Sequence, residues 1–274
     1  MQLRDAQVDL WLLRPEVVAP EVALRRYLDW LSDDERLRRE RFYFDRDRHR
    51  FLLTRALVRS VLSHYANRPP ASWRFTTNAY GRPELIEPPP GVPRFNLSHT
   101  AGLIVCAISA AGQLGVDAER VVPERARIEL ARRFFAPAEA EAIECTPAPR
   151  RAGRFFEFWT LKESYIKARG LGLTLPLASF AFELADDRAP RLVCAPGCGD
   201  TPAGWRFGRI RLFGAYQVSF ALRAEAAELT AVLRETIPGD WVSPARPLPP
   251  DARLCWSIDN DAPRGASCFE RTGA

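Results

Sequence analysis

The chain has no apolar run approaching the roughly 20 residues that cross a bilayer. Its first residues, Met1-Gln2-Leu3-Arg4-Asp5, lead into the alternating Val8-Asp9-Leu10-Trp11-Leu12 rather than into the apolar block of a secretory signal. No membrane partner is expected, and the expected location is cytoplasmic. Cysteine is sparse: six residues, Cys106, Cys145, Cys194, Cys198, Cys255 and Cys268, with no zinc spacing, the nearest candidate being Cys194-x-x-x-Cys198 in a Pro/Gly loop. Unpaired thiols are the expectation for a cytosolic chain of this size. No recognised nucleic-acid-binding motif is present. The 39 Lys and Arg are mostly arginines spread through helical stretches among 34 acids, which gives a formal charge of +5. A basic surface suits anionic cosubstrates and acidic proteins as well as nucleic acid. Without a motif or a continuous basic run, nucleic acid is set aside.

What is present is enough apolar material, 47% of 274 residues, for one large core or two modest ones. A strand over Val8 to Leu13 precedes arginine-rich helices from about Glu21 to Tyr65, with Leu52, Leu53, Ala56, Leu57 and Leu62 at helical spacing. Five prolines between Pro83 and Pro93 predict an irregular loop. A strand pair from Phe95 to Glu119 crosses a boundary near Ala111. The second half repeats the plan, with a helix from about Ile128, another through Trp159, and strands near Phe180 to Leu184, Trp205 to Phe207 and Tyr216 to Leu222. The segment Asp186 to Gly204 predicts an exposed loop. The expected division is 1–111, 112–237 carrying the site, and a Pro-rich flexible tail over 238–274.

The chemistry-bearing residues fall in two places. Asp117 and Glu119 close the apolar run Leu114-Gly115-Val116 at a strand end, where residues two apart project together. Phe155 to Lys167 carries an apolar stripe of Phe155, Phe158, Trp159 and Ile166, has no internal Gly or Pro, and stops at Gly170. It predicts a helix on which Glu163 and Lys167, four apart, share a face. Three convergent carboxylates would suit a hard divalent cation, with Lys167 beside them for phosphate. The competing reading makes the two strand acids solvated loop residues and the helix pair an ordinary surface contact.

Four ordered blocks decide between these readings. Phe42-Tyr43 with His49-Arg50 and Leu57-Val58-Arg59-Ser60 is the first, and Asn78-Ala79-Tyr80-Gly81-Arg82-Pro83 the second. Phe95-Asn96-Leu97-Ser98-His99-Thr100 is the third. Gly-Val-Asp-Ala-Glu, paired with Trp159-x-x-Lys162-Glu163-Ser164-x-x-Lys167, is the fourth; Arg132-Arg133-Phe134-Phe135 and Gly170-Leu171-Gly172-Leu173 also fit. From about residue 30 to residue 185 the chain resembles a 4′-phosphopantetheinyl transferase of the Sfp type, the class that activates carrier proteins of polyketide and nonribosomal peptide synthesis.

The resemblance implies an α+β fold of two similar subdomains related by a pseudo-twofold, acting as a monomer with coenzyme A in the cleft. It implies Mg²⁺, with Mn²⁺ as the alternative, held by Asp117, Glu119 and Glu163. Glu163, directly or through a water on the metal, would be the general base, and Lys167 would bind phosphate and steady its developing charge. Arg50, Arg82, Ser98 and His99 match positions that hold the nucleotide, with His99 near the 3′-phosphate. An acidic acyl or peptidyl carrier protein would dock near Arg132, Arg133, Phe134 and Phe135, one phenylalanine exposed and one buried. One departure stands out: Glu35 occupies a position that is commonly basic, with Arg36 and Arg38 beside it. The alternative function is a non-catalytic module that binds coenzyme A or a carrier. Retention of Asp117, Glu119, Glu163 and Lys167 speaks against it.

Overall fold

The computed structural model describes residues 3–4, 6–110, 112–185, 188–225, 229–240 and 253–256. The chain opens with β1 (Gln7–Leu13), followed by α1 (Pro20–Tyr27), α2 (Asp33–Glu40) and the long α3 (Asp45–Tyr65). A small hairpin, β2 (Phe75–Thr77) and β3 (Pro83–Leu85), leads to β4 (Arg94–Thr100), β5 (Leu103–Ser109) and β6 (Gln113–Arg120). Then come α4 (Ile128–Phe134), α5 (Pro137–Glu144) and the second long helix, α6 (Ala148–Arg169). The remaining strands are β7 (Phe180–Glu183), β8 (Arg191–Cys194), β9 (Trp205–Leu212), β10 (Tyr216–Arg223), β11 (Thr230–Glu235) and β12 (Arg253–Trp256).

Two four-stranded sheets form, in the orders β11-β1-β5-β4 and β12-β9-β10-β6. They pack face to face through Val8, Leu10, Leu12, Leu103 and Val105 on one side and Val116, Ile210, Val218, Phe220 and Leu222 on the other. On the outer face of the first sheet lies α3, its Leu53, Leu57 and Val61 against Trp11, Ile104 and Cys106. On the second lies α6, with Phe158, Leu161 and Tyr165 against Phe207 and Ala221. The result is four layers, helix, sheet, sheet, helix, in two α+β halves of like plan. Both β1 and β5 are buried along their whole length because a layer covers each face. Burial on that scale contributes about 1.5–3 kcal/mol for each large apolar side chain.

Local signals explain the helix that matters most. α6 has Pro149 in its first turn and ends at Gly170, which adopts φ 66° and donates its N–H to the Ile166 carbonyl at 3.0 Å. Beneath it, Gly115 lets the helix backbone approach β6: a Cβ there would stand 2.0 Å from the Ser164 carbonyl oxygen.

Several sequence expectations need correction. The proline-rich stretch is not wholly irregular, because Pro83–Leu85 pair antiparallel with β2; a strand's first residue tolerates proline. The segment expected as an exposed loop contains β8, with Leu192 and Cys198 buried. The tail is not featureless, since residues 253–256 pair antiparallel with β9; the rest of the tail beyond residue 240 lies outside the described residues. Pairing also crosses the expected division of the chain: β11 runs parallel to β1, Thr230 opposite Gln7, so residues 230–235 complete the first half's sheet.

Candidate active site

β6 and α6 build the floor together. Asp117 and Glu119 alternate with the core-facing Val116 and Ala118 and so lie under α6. Gly115 makes that approach close enough for the last turns of α6 to reach the acids. The Lys167 Nζ donates to Asp117 Oδ1 at 2.6 Å, to Ser98 Oγ at 3.1 Å and to the Val116 carbonyl at 3.2 Å. Glu163, one turn back, lines a cavity of about 280 Å³ with Tyr80, Arg82, Asn96, Lys167 and Gly170. A larger groove of about 660 Å³ lies elsewhere, but its one carboxylate, Glu157, is engaged by Arg154 at 2.9 Å and Arg209 at 2.7 Å.

Electrostatics ties the acids into one site. Burial pushes the Glu163 carboxyl up to about 7; Asp117 and Glu119 add to this, and Lys167 opposes it. Burial and then Asp117 also raise Glu119, against the Thr100 hydroxyl, which donates to Glu119 Oε2 at 3.3 Å. Three carboxylates thus face one ammonium. Asp117 Oδ2 is buried and has no hydrogen-bond partner, an open acceptor on a buried carboxylate. Hard oxygen donors of this kind fit a divalent cation such as Mg²⁺. Among the described residues, however, no group of three or more His, Cys, Asp or Glu stands ready-made to hold a metal. The Lys167 ammonium covers the Oδ1 side of Asp117 instead.

The residues expected at the nucleotide divide into two sets. Arg50 and His99 are neighbours: partial desolvation first, and the Arg50 guanidinium second, hold the His99 imidazole below its usual range. His99 is exposed on β4, while Arg50 pairs with Asp47 at 2.7 Å. The Arg50 guanidinium with the His99 imidazole beside it offers an anion a charged donor and a neutral one at the surface. Ser98 and Arg82 face inward. The Ser98 hydroxyl, 7% exposed, donates to Asp117 at 2.9 Å and accepts from the Ala118 N–H at 3.1 Å. Arg82 lines the cavity, yet its Nη1 donates to the carbonyls of Lys167 at 3.1 Å and Ala168 at 3.3 Å. Asn78 Nδ2 donates to the Gly170 carbonyl at 3.3 Å, so the hairpin of the first half grips the end of α6.

The structure also explains the departure at Glu35. Its carboxylate closes a capping box with Ser32 at the start of α2 and pairs with Arg55 and the fully buried Arg59. It is a structural acid. Lys162, adjacent to Glu163, is fully buried, ion-paired to Glu139 at 2.7 Å and bonded to the Leu177 and Phe180 carbonyls. Phe135 is 3% exposed and Phe134 42%, the split expected from the sequence. Sequence reasoning missed Asn96 and Thr100 as site residues. The available signal was their alternation with Ser98 along one strand.

Comparison with known proteins agrees with this geometry. Residues 113–221 match the model of the 4′-phosphopantetheinyl transferase superfamily, and residues 20–111 that of the 4′-phosphopantetheinyl transferase N-terminal domain. The chain is 32% identical over 228 residues to the 4′-phosphopantetheinyl transferase HetI of Nostoc sp., covering 76% of this chain and 95% of that one. It is 35% identical over 162 residues to the 4′-phosphopantetheinyl transferase Sfp of Bacillus subtilis, covering 59% and 70%. A phosphopantetheinyl transferase of Thraustochytrium sp. is 30% identical over 241 residues, covering 84% and 83%. The chain therefore belongs to the 4′-phosphopantetheinyl transferase superfamily. Among the described residues no helix is long and apolar enough to cross a membrane.

Proposed function

We propose that the protein transfers 4′-phosphopantetheine from coenzyme A to a serine of an apo acyl or peptidyl carrier protein. The observation that carries this is the convergence of Asp117 and Glu119 on β6 with Glu163 and Lys167 on α6, the last two on the wall of one cavity, in a member of this family. The seryl oxygen attacks the β-phosphorus of coenzyme A, and the bond from that phosphorus to the bridging oxygen breaks. Adenosine 3′,5′-bisphosphate departs with the bonding pair, and the seryl proton passes to the Glu163 carboxylate. A carboxylate at the wall of the cavity is placed for that task. Lys167 lies within reach of the same space and neutralises charge on the transferring phosphoryl group. Arg50 and His99 receive the 3′-phosphate at the surface.

Asp117, Glu119 and Glu163 are the residues that would hold Mg²⁺, with Mn²⁺ as its substitute. The unpartnered Asp117 Oδ2 and the raised carboxyls support that donor set. When bound, the cation supplies charge neutralisation and alignment of the pyrophosphate. Phe134, exposed beside Arg133 at the end of α4, suits an acidic helix on the carrier.

The test is the intact mass of an apo carrier protein incubated with the chain, coenzyme A and Mg²⁺, beside a Glu163→Gln control. A gain of roughly 340 Da that needs both metal and Glu163 is expected. No gain on several carrier types, with coenzyme A still bound, would favour a binding module.

A further inference from the structure

β4 and β6 are the edge strands of two different sheets, and they meet without sharing a backbone ladder. β4 pairs through its backbone with β5, and β6 with β10. An edge strand turns alternate N–H groups away from its neighbour, and buried N–H groups must find acceptors. Val116 and Ala118 are almost fully buried. Their acceptors are side chains. Asn96 Oδ1 takes the Val116 N–H at 2.9 Å, Ser98 Oγ the Ala118 N–H at 3.1 Å, and Thr100 Oγ1 the Arg120 N–H at 3.2 Å. Three alternate residues of β4 thus reach three alternate amides of β6 in constant register, each pair 20 positions apart in sequence.

The amides that are held flank the acids. Asp117 lies between Val116 and Ala118, and Glu119 between Ala118 and Arg120. Two of the same acceptors continue to the carboxylates: Ser98 Oγ donates to Asp117 Oδ1 at 2.9 Å and Thr100 Oγ1 to Glu119 Oε2 at 3.3 Å. One strand of the first half therefore fixes both the backbone register and the side-chain aim of the acids in the second half.

We infer that Asn96, Ser98 and Thr100 form a side-chain zipper that joins the two halves and acts as the positioning device for Asp117 and Glu119, with Thr100 a positioning residue for Glu119. This rests on the metal-site reading given under Proposed function. Ser98 in this role is a structural partner of Asp117. Thr100 touches no reacting atom. Its effect passes through Glu119 and the Arg120 amide, and outer partners of ligating carboxylates typically matter about 10–100-fold in metal affinity.

The experiment compares wild type, Thr100→Val and Thr100→Ser by two readouts on the full chain. The first is NMR hydrogen exchange of the Val116, Ala118 and Arg120 amides without metal. The second is calorimetric Mn²⁺ affinity without coenzyme A. In Thr100→Val the Arg120 amide should exchange at least about tenfold faster and Mn²⁺ should bind roughly 10–100-fold more weakly, while Thr100→Ser restores both. Thr100→Ala is read the same way should the valine variant not fold. A Thr100→Val protein of lowered Tm whose Mn²⁺ affinity equals wild type would reduce Thr100 to a stability residue and overturn the proposal. Unchanged Arg120 exchange would sink the zipper with the metal site intact. Wild-type protein that binds no Mn²⁺ would instead sink the metal-site reading, and the positioning role with it, while the exchange data still judged the zipper.

Discussion

The two long helices, α3 and α6, hold comparable places on their sheets, yet they handle buried charge in different ways. In the first half, Arg59 on α3 is completely buried and Arg55 nearly so, and both close on Glu35 of α2. Glu35 offsets one of the two positive charges, and both guanidiniums also lie over the Phe75 ring, Arg55 at 5.1 Å and Arg59 at 4.8 Å. α6 contains one pair of this kind, Lys162 with Glu139. One residue further along, the pattern breaks: Glu163 joins Asp117 and Glu119 around the single ammonium of Lys167. A compensated buried pair is consistent with a purely structural role. An excess of carboxylates that Lys167 offsets only in part costs folding energy, which is consistent with a site for a ligand. Neighbouring residues of one motif, Lys162 and Glu163, thus meet opposite surroundings.

The largest effect that would break this comparison comes from the uncompensated acids. Asp117→Ala or Glu163→Gln should lower transfer, followed by carrier mass, by at least about a thousandfold while Tm stays near or above wild type. Near-normal turnover in a well-folded variant would remove the site assignment. Lys162→Met should do the reverse. It leaves Glu139 buried without its partner, and denaturant titration should show a loss of about 3–5 kcal/mol. The double variant Glu139→Gln with Lys162→Met should recover part of that loss. Gly115→Ala stands between the two classes. A Cβ pressed into the backbone of α6 must lift the helix from β6, so stability and transfer should fall together.

The legibility of these features in the sequence follows from their range. α6 is local: its apolar stripe, Pro149 and Gly170 announce it, and Glu163 and Lys167 share a face by spacing alone. The Asp-x-Glu pair is readable because strand alternation is also local. β3 depends on pairing with β2 and hides behind proline. The union of β11 with β1 connects residues more than 200 apart in sequence, and no periodicity reports that. The resemblance places Ser98 at the nucleotide; the bonds of its hydroxyl to Asp117 and the Ala118 amide depend on two edge strands of different sheets meeting, which no local pattern reports. Glu35 looks like a missing cation until α2 and α3 come together and Arg55 and Arg59 close on it.

A pH experiment sharpens the contrast at smaller amplitude. Glu163 moves from an ordinary value of 4.5 to about 7 in the folded protein. A raised carboxyl contributes stability that is fully present below the unfolded value and lost as pH rises through the folded one. Without metal, the window from about pH 5 to pH 8 should therefore cost wild type roughly 3 kcal/mol at this group. Glu163→Gln should flatten the Tm profile across that window. A Gln variant with the wild-type slope would show that Glu163 does not carry the strain. Added Mg²⁺ should flatten the wild-type profile as well, because a cation favours the ionised form.

The smallest effect is expected at the far edge of the second sheet. β12 pairs with β9 over four residues, while β10 holds β9 over eight, and Asp117 and Glu119 lie two strands away on β6. Deleting residues 241–274 leaves β9 as an edge strand, but it carries Arg206, Arg209 and Arg211, and charged side chains discourage edge-to-edge association. Turnover of the truncated chain should stay within about twofold of wild type, with a Tm decrease of a few degrees at most. A large loss of transfer at unchanged Tm would mean that the tail reaches the site. Unfolding would mean that β12 holds the second sheet together. Unfolding would also show that the second half depends for its sheet on a segment whose sequence lacks strand periodicity, whereas the first half closes its own with β11.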